Sequence, residues 1–345
     1  MERQSSLCIC VAALLACFAP SAHAVAKSEY LDVIEMAVDA YTPKQTADYI
    51  ASARDRGMRE HGFGRFVANH GVLLAAGRRA SEEDRARVSE LMDIYCGQVS
   101  GAKARNGGKV GNDFTVKEVV LCLLELEKAK AFPTEVTERW RAGLAKCVPG
   151  ETYTCIPPPD DPIAHNWAVF AGTSEQLRCH AGLGGKAAFV ERQYGGQVKW
   201  LDVNGMYRDP NQPIAYDLVT RLQFMLGCTY GYKGRHSELL EQAFLKSAEP
   251  TLLMQSASGE SPYGGRSNQF LHSDIMYAAV CEWYASWFKS RGDMSMARRF
   301  RACARRAYES LLRWSGERPL RHVKNRILPG RVSMDARSTA ISTNT

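Results

Sequence analysis

The sequence has almost no alternation of apolar and polar residues, the pattern a half-buried strand needs. That excludes a sheet as the main framework of its 345 residues. No CxxC and no HxxxH occurs, so a zinc site has no ligand pattern to rest on. No GxSxG is present, which removes the elbow of a Ser-His-Asp hydrolase. No GK[ST] follows a strand, which removes a phosphate loop, and nothing else asks for a cofactor. Beyond residue 24 no run of eighteen residues is apolar and uncharged, so no transmembrane anchor is predicted. No segment repeats at a fixed period, which speaks against an ordinary α-solenoid.

What is present begins at the N-terminus. Arg3 supplies a positive charge, residues 7–18 are an apolar run too short to span a bilayer, and Ala22-His23-Ala24 is a small-x-small cleavage pattern. Residues 1–24 therefore read as a signal peptide cleaved near Ala24, and the mature chain is expected to be secreted or periplasmic. Eleven cysteines become eight once Cys8, Cys10 and Cys17 leave with that segment. An even number outside the cytoplasm permits disulfides. Cys147 and Cys155 flank a Pro/Gly loop and are the expected pair, whereas Cys122, Cys179, Cys228 and Cys281 fall in apolar helical runs and read as buried thiols.

The formal net charge of +7 is local rather than general. Residues 289–326 hold twelve Lys and Arg against Asp293, Glu309 and Glu317, so the remainder is close to neutral. Arg298, Arg301, Arg305 and Arg306 alternate with Phe300, Ala304 and Leu311 as on an amphipathic helix, and the block reads as a solvated outer face. As a binding patch on an exported protein it would meet an acidic polysaccharide or an anionic cell surface, not nucleic acid.

The rest of the chain reads as helix after helix, in two alternating kinds. Residues 63–77, 114–128, 166–182, 216–230 and 270–290 are apolar around most of the circumference. Residues 43–59, 82–95, 134–147, 185–198, 237–255 and 293–314 are charged on one face. A first helix near residues 28–41 brings the count to about twelve. Enclosed helices alternating with covering ones predict an inner ring wrapped by an outer one, an all-α (α/α)6 toroid over residues 25–328. Thr42-Pro43 and Ser81-Glu82-Glu83-Asp84 supply helix starts. From Pro329 the character changes abruptly, so residues 329–345 read either as a disordered tail or as the sign that a further C-terminal segment is missing.

Polar clusters recur at the starts of the enclosed helices. Arg65, Asn69 and His70 open one, Asn112, Asp113 and Glu118 the next, and His165-Asn166-Trp167 the third. Tyr207, Arg208, Asp209, Tyr216, Asp217 and Arg221 surround the start of the fourth; Glu260, Tyr263, Arg266, Asn268, Gln269, His272 and Asp274 surround that of the fifth. Capping explains the Asp and Asn residues singly. It does not explain the Tyr, His and Arg beside them, and the clusters therefore read as one site at one mouth of the ring. Helix N-termini there favour an anion. Arg221 and Arg266 could hold a carboxylate, and Trp167, Tyr207 and Tyr263 offer flat faces to sugar rings.

Three of these segments carry a resemblance: Asn166-Trp167 at a helix start, Asn204-Gly205-Met206-Tyr207-Arg208-Asp209, and Tyr263-Gly264-Gly265-Arg266-Ser267. They resemble secreted toroidal carbohydrate-active proteins, namely uronate polysaccharide lyases of the heparinase II/III and alginate lyase type and the glucuronidase-like toroids. The resemblance implies cleavage of an acidic polysaccharide without a metal or cofactor. In a lyase, Arg266 and Asn166 would neutralise the uronate carboxylate while Tyr263, His272 or Tyr207 serve as base and acid. His165, Trp167, Asp209, Asp217, Arg221, Asn268 and Gln269 would bind substrate. A hydrolase would instead use two of Asp113, Asp209, Asp217, Glu260 and Asp274. The Arg, Asn, Tyr and His grouping favours the lyase; a glycan-binding toroid without catalysis would use the same side chains.

Overall fold

A helix that is apolar on every side has to be surrounded, whereas one with a single apolar stripe can lie outside. The computed structural model follows that division. It describes residues 24–58, 62–108, 111–156, 165–210, 215–262 and 270–315. The expectations for residues 1–23 and for the tail lie outside the described residues. Among those described are twelve long helices. They are α1 (Lys27–Asp39), α2 (Pro43–Arg56), α3 (Gly62–Ala75), α4 (Glu82–Gln98), α5 (Asn112–Lys128) and α6 (Thr134–Ala145), then α7 (His165–His180), α8 (Ala187–Val198), α9 (Ala215–Thr229), α10 (Ser237–Leu253), α11 (Leu271–Ser290) and α12 (Met294–Ser315). Two single turns, Ala102–Arg105 and Pro149–Thr152, lie in the connections. No strand occurs among the described residues, only an isolated bridge between Leu201 and Tyr207. The described chain is thus all-α, and no described helix is long and apolar enough to cross a membrane.

The boundaries have local causes. Thr42 and Ser81 cap α2 and α4 through capping boxes with Gln45 and Asp84, each closing the first turn reciprocally. The even-numbered helices then bury one stripe, such as Val88, Leu91, Met92, Tyr95 and Cys96 of α4. The odd-numbered ones from α3 to α11 bury nearly everything, while α1 buries one stripe, Tyr30, Leu31, Val33, Ile34, Ala37 and Val38. Every residue of α3 from Gly62 to Leu74 is buried, and α5 is buried continuously from Asn112 to Leu123.

Successive odd-numbered helices from α3 to α9 run parallel. Gly64 of α3 lies against Thr115 of α5, and seven residues further along each helix Gly71 lies against Cys122. A Cβ on Gly64 would stand 2.5 Å from the Thr115 Cβ, so only glycine permits this approach. Phe114 and Lys117 of α5 face Trp167 and Phe170 of α7 in the same order. Thr173 and Gln176 of α7 donate to the carbonyls of Gln223 and Tyr230, at and just beyond α9, at 3.0 and 2.9 Å. In turn α9 packs on α11.

The first helix meets both ends of this series. It packs on α3, while the Tyr30 hydroxyl donates to Glu282 of α11 and its ring meets Tyr308 of α12 edge-on. Arg305 of α12 forks onto Glu29 at 2.6 and 2.9 Å and also reaches the Ala24 carbonyl. Among the described residues of the basic block, four arginines are in ion pairs, Arg305 with Glu29 and three more. Arg291 and Arg299 pair with Glu241 and Glu249 of α10, and Arg301 pairs with the buried Glu282.

One expectation is corrected. Cys147 and Cys155 are not bridged; all eight described cysteines are thiols. The segment between them folds as the Pro149–Thr152 turn rather than an open loop. Cys147 lies in the field of Cys96, while Cys155 is held at the Asp113 carboxylate, to which its backbone N–H donates at 2.9 Å.

His70 also settles away from the place its sequence position suggests. It is buried against Phe66, in the field of Arg79, Arg87 and Asp84 at the outer layer, and its Nε2 has no hydrogen-bond partner. Burial, then the charges of Arg87 and Arg79, lower its pKa from 6.5 to about 3. The unfolded chain therefore binds one more proton than the folded one between these values, and stability falls as pH drops from 6.5 toward 3. Replacing His70→Phe should remove up to about 1.4 kcal/mol per pH unit from the slope of unfolding free energy between pH 6 and 4. Urea titrations across that range measure it; an unchanged slope would mean His70 is not the group responsible.

Candidate active site

Enclosed helices offer a ligand only their ends, so a site on this framework has to be built where the odd-numbered helices begin. There α3, α5 and α7 bring together a compact group. Phe114 is the hub, with its ring 4.9 Å from Trp167 and 4.6 Å from Phe170. Arg65 lies over Phe114, and the Lys117 ammonium sits 4.7 Å from the centre of Phe170. Both cations meet Glu118, Lys117 at 3.2 Å and Arg65 at 3.7 Å, with all three side chains buried. A cation on an aromatic face is stabilised by the ring quadrupole, which helps hold these charges out of water. Trp167 is the opening in this wall, 40 % exposed beside the exposed His165.

Asn166 extends the group to the loop before α9. Its backbone N–H and its Nδ2 both donate to Asp209 Oδ1, at 3.3 and 3.0 Å. Asp209 is only 1 % exposed, yet its Oδ2 accepts no hydrogen bond among the described residues. Such a buried carboxylate oxygen is costly unless something completes it. The neighbouring Tyr207 donates its hydroxyl to Gln197 of α8 at 2.7 Å, and burial followed by the Asp209 charge pushes its pKa up. It remains a protonated phenol at neutral pH.

The other carboxylates of these helix starts have structural work. Asp113 accepts from the backbone of Thr154 and Cys155 at 3.0 and 2.9 Å. Asp274 accepts from the backbone of Ser261 and the hydroxyl of Ser310 at 2.9 and 3.0 Å. Asp217 holds the Tyr207 backbone at 2.7 Å and accepts both prongs of Arg221 at 2.8 and 2.6 Å. Arg221 also donates to Thr251 of α10 and Tyr284 of α11, so the Asp217–Arg221 pair ties three helices and the loop together.

Of the residues singled out in the sequence, His165, Asn166, Trp167 and Asp209 are brought to one place, with Tyr207 beside them. Asp217 and Arg221 join each other, buried between helices. His272, half-buried at the start of α11, stacks on Phe270 at 5.0 Å. Tyr263, Arg266, Asn268 and Gln269 lie outside the described residues. Phe114, Lys117 and Phe170 were missed as site members. Their signal was spacing: Lys117 and Glu118 stand three and four residues after Phe114, on the same helix face in an otherwise apolar run.

Among the described residues no three His, Cys, Asp or Glu groups gather as metal ligands. Comparison with protein-family models, with curated proteins and with solved structures finds no match.

The Asn166–Asp209 contact can be isolated by a double-mutant cycle. Asn166→Ala leaves the buried carboxylate with one donor fewer and should cost about 1–3 kcal/mol of stability. Added to Asp209→Ala, the same change should cost much less, because the group it served is gone. Urea unfolding of the four proteins reads the coupling, and additive costs would show that the contact carries no energy.

Proposed function

We propose that the twelve helices close into an (α/α)6 ring, with the odd-numbered helices inside, and that the chain works outside the cytoplasm on an acidic, uronate-containing polysaccharide. The ring is supported by α1, which packs on α3 at one side and meets α11 and α12 at the other. The observation that carries the functional reading is the group at the starts of α5 and α7. It sets an exposed Trp167 beside a buried Asn166–Asp209 pair, with Arg65 and Lys117 on the aromatic rings behind Trp167. An exposed indole is a platform for a sugar ring. Buried cations and parallel helix N-termini favour the negative charge of a uronate.

Cleavage by β-elimination is the favoured chemistry. Neutralising the C6 carboxylate makes the C5 proton acidic; a base removes that proton, and the C4–O bond breaks as the double bond forms. Asn166 and Arg266 are assigned to the carboxylate, and Tyr263 and His272 to base and acid. Tyr207, whose hydroxyl is bonded to Gln197, is the third candidate for base or acid. A hydrolase is less well supplied, since Asp113, Asp217 and Asp274 are committed to loop backbones.

Incubation with a panel of polyuronates should release oligosaccharides that absorb in the ultraviolet through their new double bond. Reducing ends without absorbance would turn the assignment to a hydrolase, and binding without products to a non-catalytic glycan receptor. Neither binding nor products would remove the reading altogether. Arg266→Lys keeps the charge but loses the planar fork and should weaken binding by about 1–3 kcal/mol.

A further inference from the structure

α11 and α12 pack on each other, and both carry buried alanines, Ala278 and Ala285 on the first and Ala304 and Ala307 on the second. The Cys281 and Cys303 sulfurs stand 3.0 Å apart in that contact, and neither residue exposes any surface. Next to them in sequence lies a second link of the same helix pair, the Glu282–Arg301 ion pair. Glu282 in turn receives the Tyr30 hydroxyl of α1. The two thiols therefore sit where the first helix joins the last hairpin.

We infer that Cys281 and Cys303 form a disulfide in the mature protein, a covalent staple across the α11–α12 hairpin at this junction. The donor is a disulfide, either of a thiol–disulfide oxidoreductase or of a small molecule. One cysteine thiolate attacks a donor sulfur and expels the first donor thiolate. The second cysteine attacks the mixed disulfide, closing the Cys281–Cys303 bond and expelling the other. The donor gains two electrons, and the two protons leaving the cysteines end on its two thiols. The reaction belongs to folding, before the hairpin closes. A Cys281 buried before oxidation would be held as a thiol by its apolar surroundings and by Cys303, with neither sulfur within reach of a reagent. The inference takes only the oxidising environment from the proposed export and is independent of the glycan reading.

Full-length protein produced in an oxidising host compartment is unfolded, alkylated without reductant and digested with trypsin. Mass spectrometry should find the Cys281 peptide linked to the Cys303 peptide, the two separating on reduction. The folded protein should keep the link in millimolar reductant and lose it when unfolded. Recovery of both cysteines in alkylated form, or of either joined to a different cysteine, overturns the inference. Cys281→Ala should lower the thermal midpoint by roughly 5–10 °C, the effect of freeing a loop of this length in a domain of this size. That shift should vanish when the variant is compared with wild-type protein refolded and kept in reductant; its persistence would point to packing alone and count against the staple.

Discussion

The structure depends on one constraint: α3, α5, α7, α9 and α11 have almost no face left for water. A backbone satisfied by its own helix can be enclosed at little cost, but the charged side chains of such a helix cannot. They are therefore paired. Glu175 takes Arg178, the Tyr153 hydroxyl and the Lys186 backbone; Asp217 takes Arg221; Glu282 takes Arg301. Glu282–Arg301 joins two helices directly, and the other two pairs, each within one helix, reach neighbouring elements through further bonds: Glu175 to Tyr153 and Lys186, Asp217 to Tyr207, and Arg221 to Thr251 and Tyr284. Removing a single partner would leave a buried ion and is the costlier error.

The same constraint divides the carboxylates near the helix starts into two kinds. Asp113, Asp217 and Asp274 sit where the helix dipole favours a negative charge and accept backbone N–H groups of neighbouring connections. They are the pegs on which the loops hang. Asp209 differs, because it comes from a loop and reaches back to the start of α7, spending only one of its oxygens there.

All twelve long helices were legible because enclosure and amphipathicity are written in hydrophobic periodicity, and even α11, with Asp274 and Glu282 inside it, keeps an apolar circumference. The single turns at Ala102–Arg105 and Pro149–Thr152 are too short to show a period and were missed. Pairing was the least legible part. Arg221 and Asp217, four residues apart at a helix start, look like ligand-binding groups in the sequence, and only the positions of Thr251 and Tyr284 reveal them as a tie between helices. The Cys147–Cys155 expectation failed for a related reason, since proximity in sequence says little when a turn of helix intervenes.

How the helix series is held at its ends explains the uneven charge. Each odd-numbered helix from α3 to α9 packs on its neighbours in chain order, whereas α1 touches α11 and α12 from the far end of the chain, through Tyr30. Apolar contact alone is non-directional and would leave the register of that meeting loose. Arg305 on Glu29 and Ala24, Arg301 on Glu282, and Tyr30 between Glu282 and Tyr308 supply directed contacts there. The concentration of arginine on α12 follows: it is the helix that must hold both α10, through Glu249, and α1, through Glu29. Of a charge excess that looks in the sequence like a surface for an external anion, Arg291, Arg299, Arg301 and Arg305 fasten the chain to itself.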